Sequence, residues 1–271
     1  MFVQRPIAIL DSGVGGLTVV KEVMRQLPRE KVIYFGDTAR TPYGPRPADE
    51  VLRFTREIVD YLMQFKPKMI IIACNTATAV ALEDIRSRVS IPVAGVINPG
   101  ARAAINVSHT SVVGVIGTEG TIRSNAYETA LKRIKPNIQV VSLACPKFVP
   151  LVEQGNFRSD ETYETVLGSI GHLRELPMDT LILGCTHYPF LYETISEVMG
   201  RGVKLISSAN ETAREVSTIL HESNRLSGGE EVPVHQFFCS GDPRMFKAIA
   251  QQWLGEQIEL TPVVWQVPRI G

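Results

Sequence analysis

Cys74 and Cys185 are the residues of this 271-residue chain whose placing points most directly to chemistry. Each ends an apolar, β-rich run: Met69-Ile-Ile-Ile-Ala before Cys74, and Thr180-Leu-Ile-Leu-Gly before Cys185. Each is followed by polar residues, Asn75-Thr76 and Thr186-His187. A thiol at the C-terminal end of a strand lies on the edge where open α/β sheets bind ligands. A helix starting behind it favours the thiolate, the reactive form. Asn75 or Thr76 can cap the first such helix, and Pro189 suits the first turn of the second. A free cysteine at a strand end is most often a small core residue. Cys145 and Cys239 read that way, but two thiols at equivalent positions of a repeat, each next to polar residues, are poor core fillers.

The repeat has two parts. Ile7-Ala-Ile-Leu-Asp-Ser12-Gly13 resembles Val113-Gly-Val-Ile-Gly-Thr118-Glu119, and the Cys74 run resembles the Cys185 run, both about 110 residues further on. Either match alone is weak, because apolar strands look alike. Two in the same order imply a duplicated unit, so the thiols face each other if the halves do. Asn98-Pro99-Gly100 is the expected hinge between the copies, with a second crossing near Ser207 to Glu211.

Other residues on the same edge divide between chemistry and architecture. Asp11-Ser12-Gly13-Val14-Gly15-Gly16 follows the first strand, and Asp37 ends the second about where a ribose-binding acid sits. A dinucleotide loop needs glycine where the chain has Thr18, and Asp11 would oppose a pyrophosphate. The favoured reading is a tight turn whose N–H groups and Ser12 hydroxyl hold a small anion, with Asp11 as a polar or acid–base group beside it. A plain helix cap is the equal alternative for Ser12, and Thr118 and Thr121 pose the same choice in the second half. His187 either assists Cys185 or is a neutral loop histidine. Tyr43-Gly44, in the rigid turn Thr41-Pro42-Tyr43-Gly44-Pro45, either closes a site or simply packs. Cys185, His187 and Asp11 lack the paired spacing of zinc ligands, so no metal is expected.

Short apolar runs alternate with helical patterns almost throughout. The clearest helix covers 48–65, where Val51, Phe54, Ile58, Tyr61, Leu62 and Phe65 share one face. Continuously apolar strands between helices imply parallel sheets covered on both sides. The expected fold is α/β: two pseudo-symmetric lobes, each an open, mostly parallel sheet flanked by helices, with the site in the cleft between them. Residues 1–97 plus 208–271 form the first lobe and 98–207 the second.

Composition narrows the class. Hydrophobic residues make up 44% and charged residues 21%, enough for a large core. Lys plus Arg and Asp plus Glu are both 28. That zero balance argues against a general nucleic-acid binder. No apolar run approaches the ~20 residues of a membrane span, and the first residues lack the pattern of a signal peptide. Four cysteines in this length do not make a disulfide framework, which points to a reducing cytoplasm.

Taken together, Asp11–Leu17, Asp37–Gly44, Ala73–Ala77, Gly184–Pro189 and Phe238–Pro243 resemble the aspartate/glutamate racemase superfamily, most of all its glutamate-specific members. The likeness spans nearly the whole chain. It implies a cofactor-independent isomerase interconverting L- and D-glutamate for peptidoglycan, cytoplasmic and homodimeric. Carried over by motif, Cys74 and Cys185 are the acid–base pair. Asp11 and His187 assist them, and Ser12, Tyr43, Gly44, Asn75, Thr76 and Thr186 contact the substrate. Pro150-Leu-Val-Glu153 also looks familial, with no role assigned to Glu153. The alternatives are a racemase for aspartate or another small amino acid, and a two-lobe anion-binding protein without chemistry.

Overall fold

The computed structural model describes residues 5–228, 233–254 and 260–262. The first half runs β1 (Ile7–Asp11), α1 (Leu17–Gln26), β2 (Val32–Gly36), α2 (Ala48–Met63), β3 (Met69–Ile72), α3 (Asn75–Arg88) and β4 (Val93–Gly95). Then come α4 (Ile97–Val107), β5 (Val112–Gly117), α5 (Glu119–Arg123), α6 (Ala126–Ile134), β6 (Gln139–Ala144), α7 (Phe148–Glu153) and α8 (Asp160–Ile170). The remainder is β7 (Thr180–Gly184), α9 (Tyr192–Met199), β8 (Lys204–Ser207), α10 (Ser208–Glu222), β9 (Gln236–Cys239), α11 (Pro243–Leu254) and β10 (Leu260–Pro262).

Two parallel sheets result, one of order β10-β9-β2-β1-β3-β4 and one of order β6-β5-β7-β8. β1, β2 and β3 are buried along their whole length, as continuous apolar runs demand when helices cover both faces. α2 supplies one such cover, burying Val51, Phe54, Ile58, Val59 and Leu62, much as its 3.6-residue pattern predicts. The fold is the expected two-lobed α/β arrangement.

Matching β1–β4 to β5–β8, both sheets have the order 2-1-3-4. The register carries the repeat further. Ile7 lies opposite Met69, and Val113 lies opposite Thr180. These are the very residues that the two sequence matches align with each other. In each sheet the strand order reverses between its first and third strands, the topological switch point where α/β proteins bind ligands. Ser12 and Cys74 lie just past one switch, Thr118 and Cys185 just past the other.

One local expectation needs correction. Asn98-Pro99-Gly100 is not a loop hinge but the first turn of α4, where a proline costs little because the leading N–H groups have no intrahelical partner anyway. Gly100 is needed there for close packing: a Cβ would come within 3.2 Å of Ser208 Cβ and of the Tyr127 ring. The second crossing is tight as well, since β8 ends at Ser207 and α10 begins at Ser208. α10 then packs on both α1 and α4. A buried ion pair fixes the segment after α10: Lys68 Nζ lies 2.5 Å from Glu30 and donates to the Arg225 carbonyl, while Glu30 accepts the Ser227 N–H.

Candidate active site

The two switch points face one another across a small enclosed cavity. Ser12, Tyr43, Gly44, Cys74, Asn75 and Thr76 line it from the first lobe. Thr118, Val149, Cys185, Thr186 and His187 line it from the second. Ten of the twelve residues singled out in the sequence therefore line one cavity. Asp11 and Thr121 stand immediately behind it, each bonded to a lining residue. The unfilled space among these residues is small, about 260 Å³.

Cys74 is itself the cap of α3, where Asn75 or Thr76 had been expected: its Sγ accepts the Ala77 N–H at 3.5 Å. The thiol also lies 3.7 Å from Ser12 Oγ. Ser12 caps no helix, because α1 starts at Leu17 with Gly16 as its N-cap and no side-chain cap. Burial, then the nearby charge of Asp11, pushes the Cys74 thiol up to about 12, against the pull of the Ala77 N–H and the Ser12 hydroxyl.

Cys185 has different company. Behind it lies a 3₁₀ turn, Tyr188–Leu191, with Pro189 at its start; α9 follows only at Tyr192. The sulfur has no helix N-terminus and meets His187 Nδ1 at 3.7 Å instead. His187 Nε2 lies 2.6 Å from Glu153 Oε1. Burial works against a charged ring, but the hydrogen bonds and charges of Cys185 and Glu153 outweigh it and hold His187 well above the usual imidazole range. Cys185, His187 and Glu153 thus form a line in which each group orients the next.

Glu153 is the functional residue that sequence reasoning left without a role. Oε1 also accepts the Val14 N–H at 3.2 Å. The expected anion-holding turn does hold a carboxylate, but it is the protein's own. A Cβ on Gly13 would sit 2.2 Å from Glu153 Oε1, and one on Gly15 would sit 2.4 Å from His187 Nδ1. The glycines thus let the first lobe's turn press directly on Glu153 and His187 of the second lobe.

Asp11 is fully buried, its two oxygens taken by the Gly13 N–H and the Thr186 hydroxyl, each at 3.0 Å. Burial raises its pKa against the charge of His187 and those bonds. Thr76 Oγ1 reaches across the cleft to Thr118 Oγ1 at 2.8 Å and Thr121 Oγ1 at 3.2 Å. Thr118 also caps α5 by accepting the Thr121 N–H, so the cap and cavity readings of this residue both hold. Asn75 Oδ1 accepts the Tyr127 hydroxyl at 2.7 Å, which leaves the buried Asn75 Nδ2 without a partner in the cavity wall. A buried donor left unmade is costly, and a carboxylate oxygen would satisfy it.

Comparison with known proteins agrees with this geometry. Residues 11–216 match the Asp/Glu/Hydantoin racemase family. The chain belongs to that family. It is 55% identical over 259 residues to a glutamate racemase of Bacillus cereus, covering 96% of each chain. Among solved structures it resembles a glutamate racemase isoform from Bacillus anthracis, with a TM-score of 0.93, 47% identity and coverage of 96% and 98%. It also resembles the Francisella tularensis glutamate racemase solved with D-glutamate, with a TM-score of 0.88, 34% identity and coverage of 97% and 98%.

Proposed function

We propose that the chain interconverts L- and D-glutamate by moving a proton at Cα between Cys74 and Cys185, with no cofactor. The observation that carries this reading is the single cavity lined by one thiol from each lobe. Inverting a stereocentre requires proton removal on one face and return on the other. Two bases on opposite faces do this without turning the substrate. One sulfur must start as thiolate and the other as thiol. The environments differ in a way that suits that split: burial and the charge of Asp11 favour the protonated Cys74, while Cys185 meets the His187 ring, whose pKa is held above its usual range.

In one direction the Cys185 thiolate takes the Cα proton and the C–H electron pair stays on carbon. The Cys74 thiol then gives its proton to the opposite face, leaving Cys185 as thiol and Cys74 as thiolate. The reverse direction begins from that second state, where the Ser12 hydroxyl and Ala77 N–H stabilise the Cys74 thiolate. The carbanion is the difficult species. Its charge spreads into the α-carboxylate, which Asn75 Nδ2 and the Thr76, Thr118 and Thr121 hydroxyls are placed to bind. Shutting the cleft removes water and strengthens each of these interactions.

Closure implies lobes that move as units, which we assign to 1–97 plus 208–271 and to 98–207. No helix among the described residues is long and apolar enough to cross a membrane. We place the enzyme in the cytoplasm, as a homodimer supplying D-glutamate for peptidoglycan. Incubation of each glutamate enantiomer in deuterium oxide tests the reaction. Deuterium should enter Cα of both, with racemisation followed by circular dichroism and aspartate as the control substrate. Absence of deuterium at Cα of either enantiomer overturns the reading.

A further inference from the structure

Two segments singled out in the sequence, Asp37–Gly44 and Phe238–Pro243, take no part in proton transfer, yet they meet. Asp37, fully buried just past β2, accepts the Ser240 hydroxyl at 2.6 Å on Oδ1. Ser240 Oγ in turn accepts the Ala39 N–H at 3.0 Å, and the Gly241 N–H donates to Thr38 Oγ1 at 2.8 Å. On Oδ2, Asp37 receives Arg40 Nε at 2.6 Å and the Tyr43 hydroxyl. One carboxylate therefore joins the chain's late return, 203 residues away, to a tyrosine in the cavity wall.

The loop is also held at its far end. The Gly44 carbonyl accepts the Gly120 N–H across the cleft at 2.8 Å. A Cβ on Gly44 would lie 2.6 Å from Thr118 Cβ, so the fit there has no slack. Tyr43 and Gly44 thus form a strap with one end tied across the lobes and the other tied to Asp37. Arg40, stacked 4.0 Å from the Phe54 ring centroid and paired with Glu57, balances the buried carboxylate charge. Arg40 and Tyr43 both hold Oδ2 of Asp37, and the other oxygen takes a pin from the chain's late return. Ser240 supplies that pin.

We propose that Ser240, acting through Asp37, is a positioning residue that sets the affinity for substrate by fixing Tyr43 and Gly44 in the cavity wall. This inference rests on the glutamate reading and deepens it. Neither Ser240 nor Asp37 lines the cavity, so neither acts on the reacting atoms. Their loss weakens ground state and transition state alike, which raises KM and spares kcat.

The test compares Ser240→Ala, Ser240→Thr, Tyr43→Phe and the double variant Ser240→Ala/Tyr43→Phe. Alanine at 240 should raise KM for glutamate about 5- to 20-fold with kcat within about threefold, as expected for lost uniform binding. Threonine, which keeps the hydroxyl, should restore KM to within about threefold. The double variant should be little worse than the worse single variant, because both changes cut one connection. Amide hydrogen exchange supplies a readout independent of activity: residues 37–44 should exchange faster in Ser240→Ala while β1 and α2 stay protected. An unchanged KM in Ser240→Ala overturns the inference, as does additivity in the double variant or unchanged exchange over 37–44. If Ser240→Ala does not fold, Asp37→Asn, which keeps one acceptor oxygen and the shape, must still shift KM more than kcat. If the wild-type chain fails to racemise glutamate while the exchange result holds, the glutamate reading falls and the strap stands.

Discussion

Cys74 and Cys185 occupy the same place in two copies of one strand order, but the halves stabilise sulfur in different ways. The first half uses backbone: Cys74 caps the 14-residue α3 and draws on an N–H and a serine hydroxyl. The second uses a titratable side chain, His187, backed by Glu153. A dipole is fixed whatever the sulfur's charge, whereas a histidine can follow that charge by taking or losing a proton. The duplication supplied the geometry for attack from two faces. The divergence supplied an asymmetry, giving the two sulfurs different partners.

The largest effect tests what the halves share. Cys74→Ala and Cys185→Ala should each lower racemisation at least ~10³-fold, the scale of a lost acid–base group, as measured by circular dichroism at saturating glutamate. A Cys74→Ala protein turning over at near wild-type rate would break the two-thiol mechanism.

Serine in place of cysteine tests where the halves differ. At 185 the hydroxyl would face His187 and Glu153, an arrangement that can activate an alcohol. At 74 it would face a helix N-terminus and another serine, with no base. Cys185→Ser should therefore retain about tenfold more Cα deuterium exchange than Cys74→Ser, each on one enantiomer only. Equal residual exchange would mean that His187 is not functionally tied to Cys185.

His187→Asn and Asp11→Asn should each lower kcat by about 10- to 100-fold with a smaller change in KM, since they tune the acid–base pair rather than hold substrate. Glu153→Gln should have a milder effect, about 3- to 10-fold in kcat, and a diagnostic pH signature. Glu153 helps hold the His187 pKa above its usual value. Removing its charge lowers that pKa, so the alkaline limb of kcat/KM should move to lower pH. A limb that stays put would detach Glu153 from the line. The stability linkage has the same sign: the raised His187 pKa stabilises the fold below the ordinary imidazole value near 6.5, and that contribution fades as pH rises through the folded-state value.

The repeat made the two thiols legible, because strand register preserves spacing, and register is what places Cys74 and Cys185 at matching switch points. Ser12, Thr118 and Thr186 followed from the same edge. Glu153 did not. It ends a short helix in one lobe and bonds Val14, 139 residues earlier, and no local pattern encodes a contact made only when two lobes meet. The cap of α3 was misplaced by one residue because sulfur is a weak acceptor and ranks below Asn or Thr on local preference. The helical form of Asn98-Pro99-Gly100 was not legible because a proline and a glycine mark a helix's first turn as readily as a loop. Ser240 and Asp37 stood in recognised motifs, but their connection is tertiary.

The smallest effect contrasts two buried tyrosines, one per pattern of support. The Tyr127 hydroxyl crosses the cleft to orient Asn75, whereas the Tyr188 hydroxyl stays within its own lobe and donates to the Cys145 carbonyl at 2.9 Å. Each bond is worth about 1 kcal/mol on deletion. Tyr188→Phe should express that loss as stability alone, read as a lower midpoint in urea, with KM unchanged. Tyr127→Phe should lose similar stability but also raise KM about three- to fivefold, because Asn75 would no longer be held with its amide N–H aimed at substrate. If both variants lost only stability, Asn75 would be oriented by packing and not by the bond from the opposite lobe. The cross-lobe pairing would then matter to closure and not to binding.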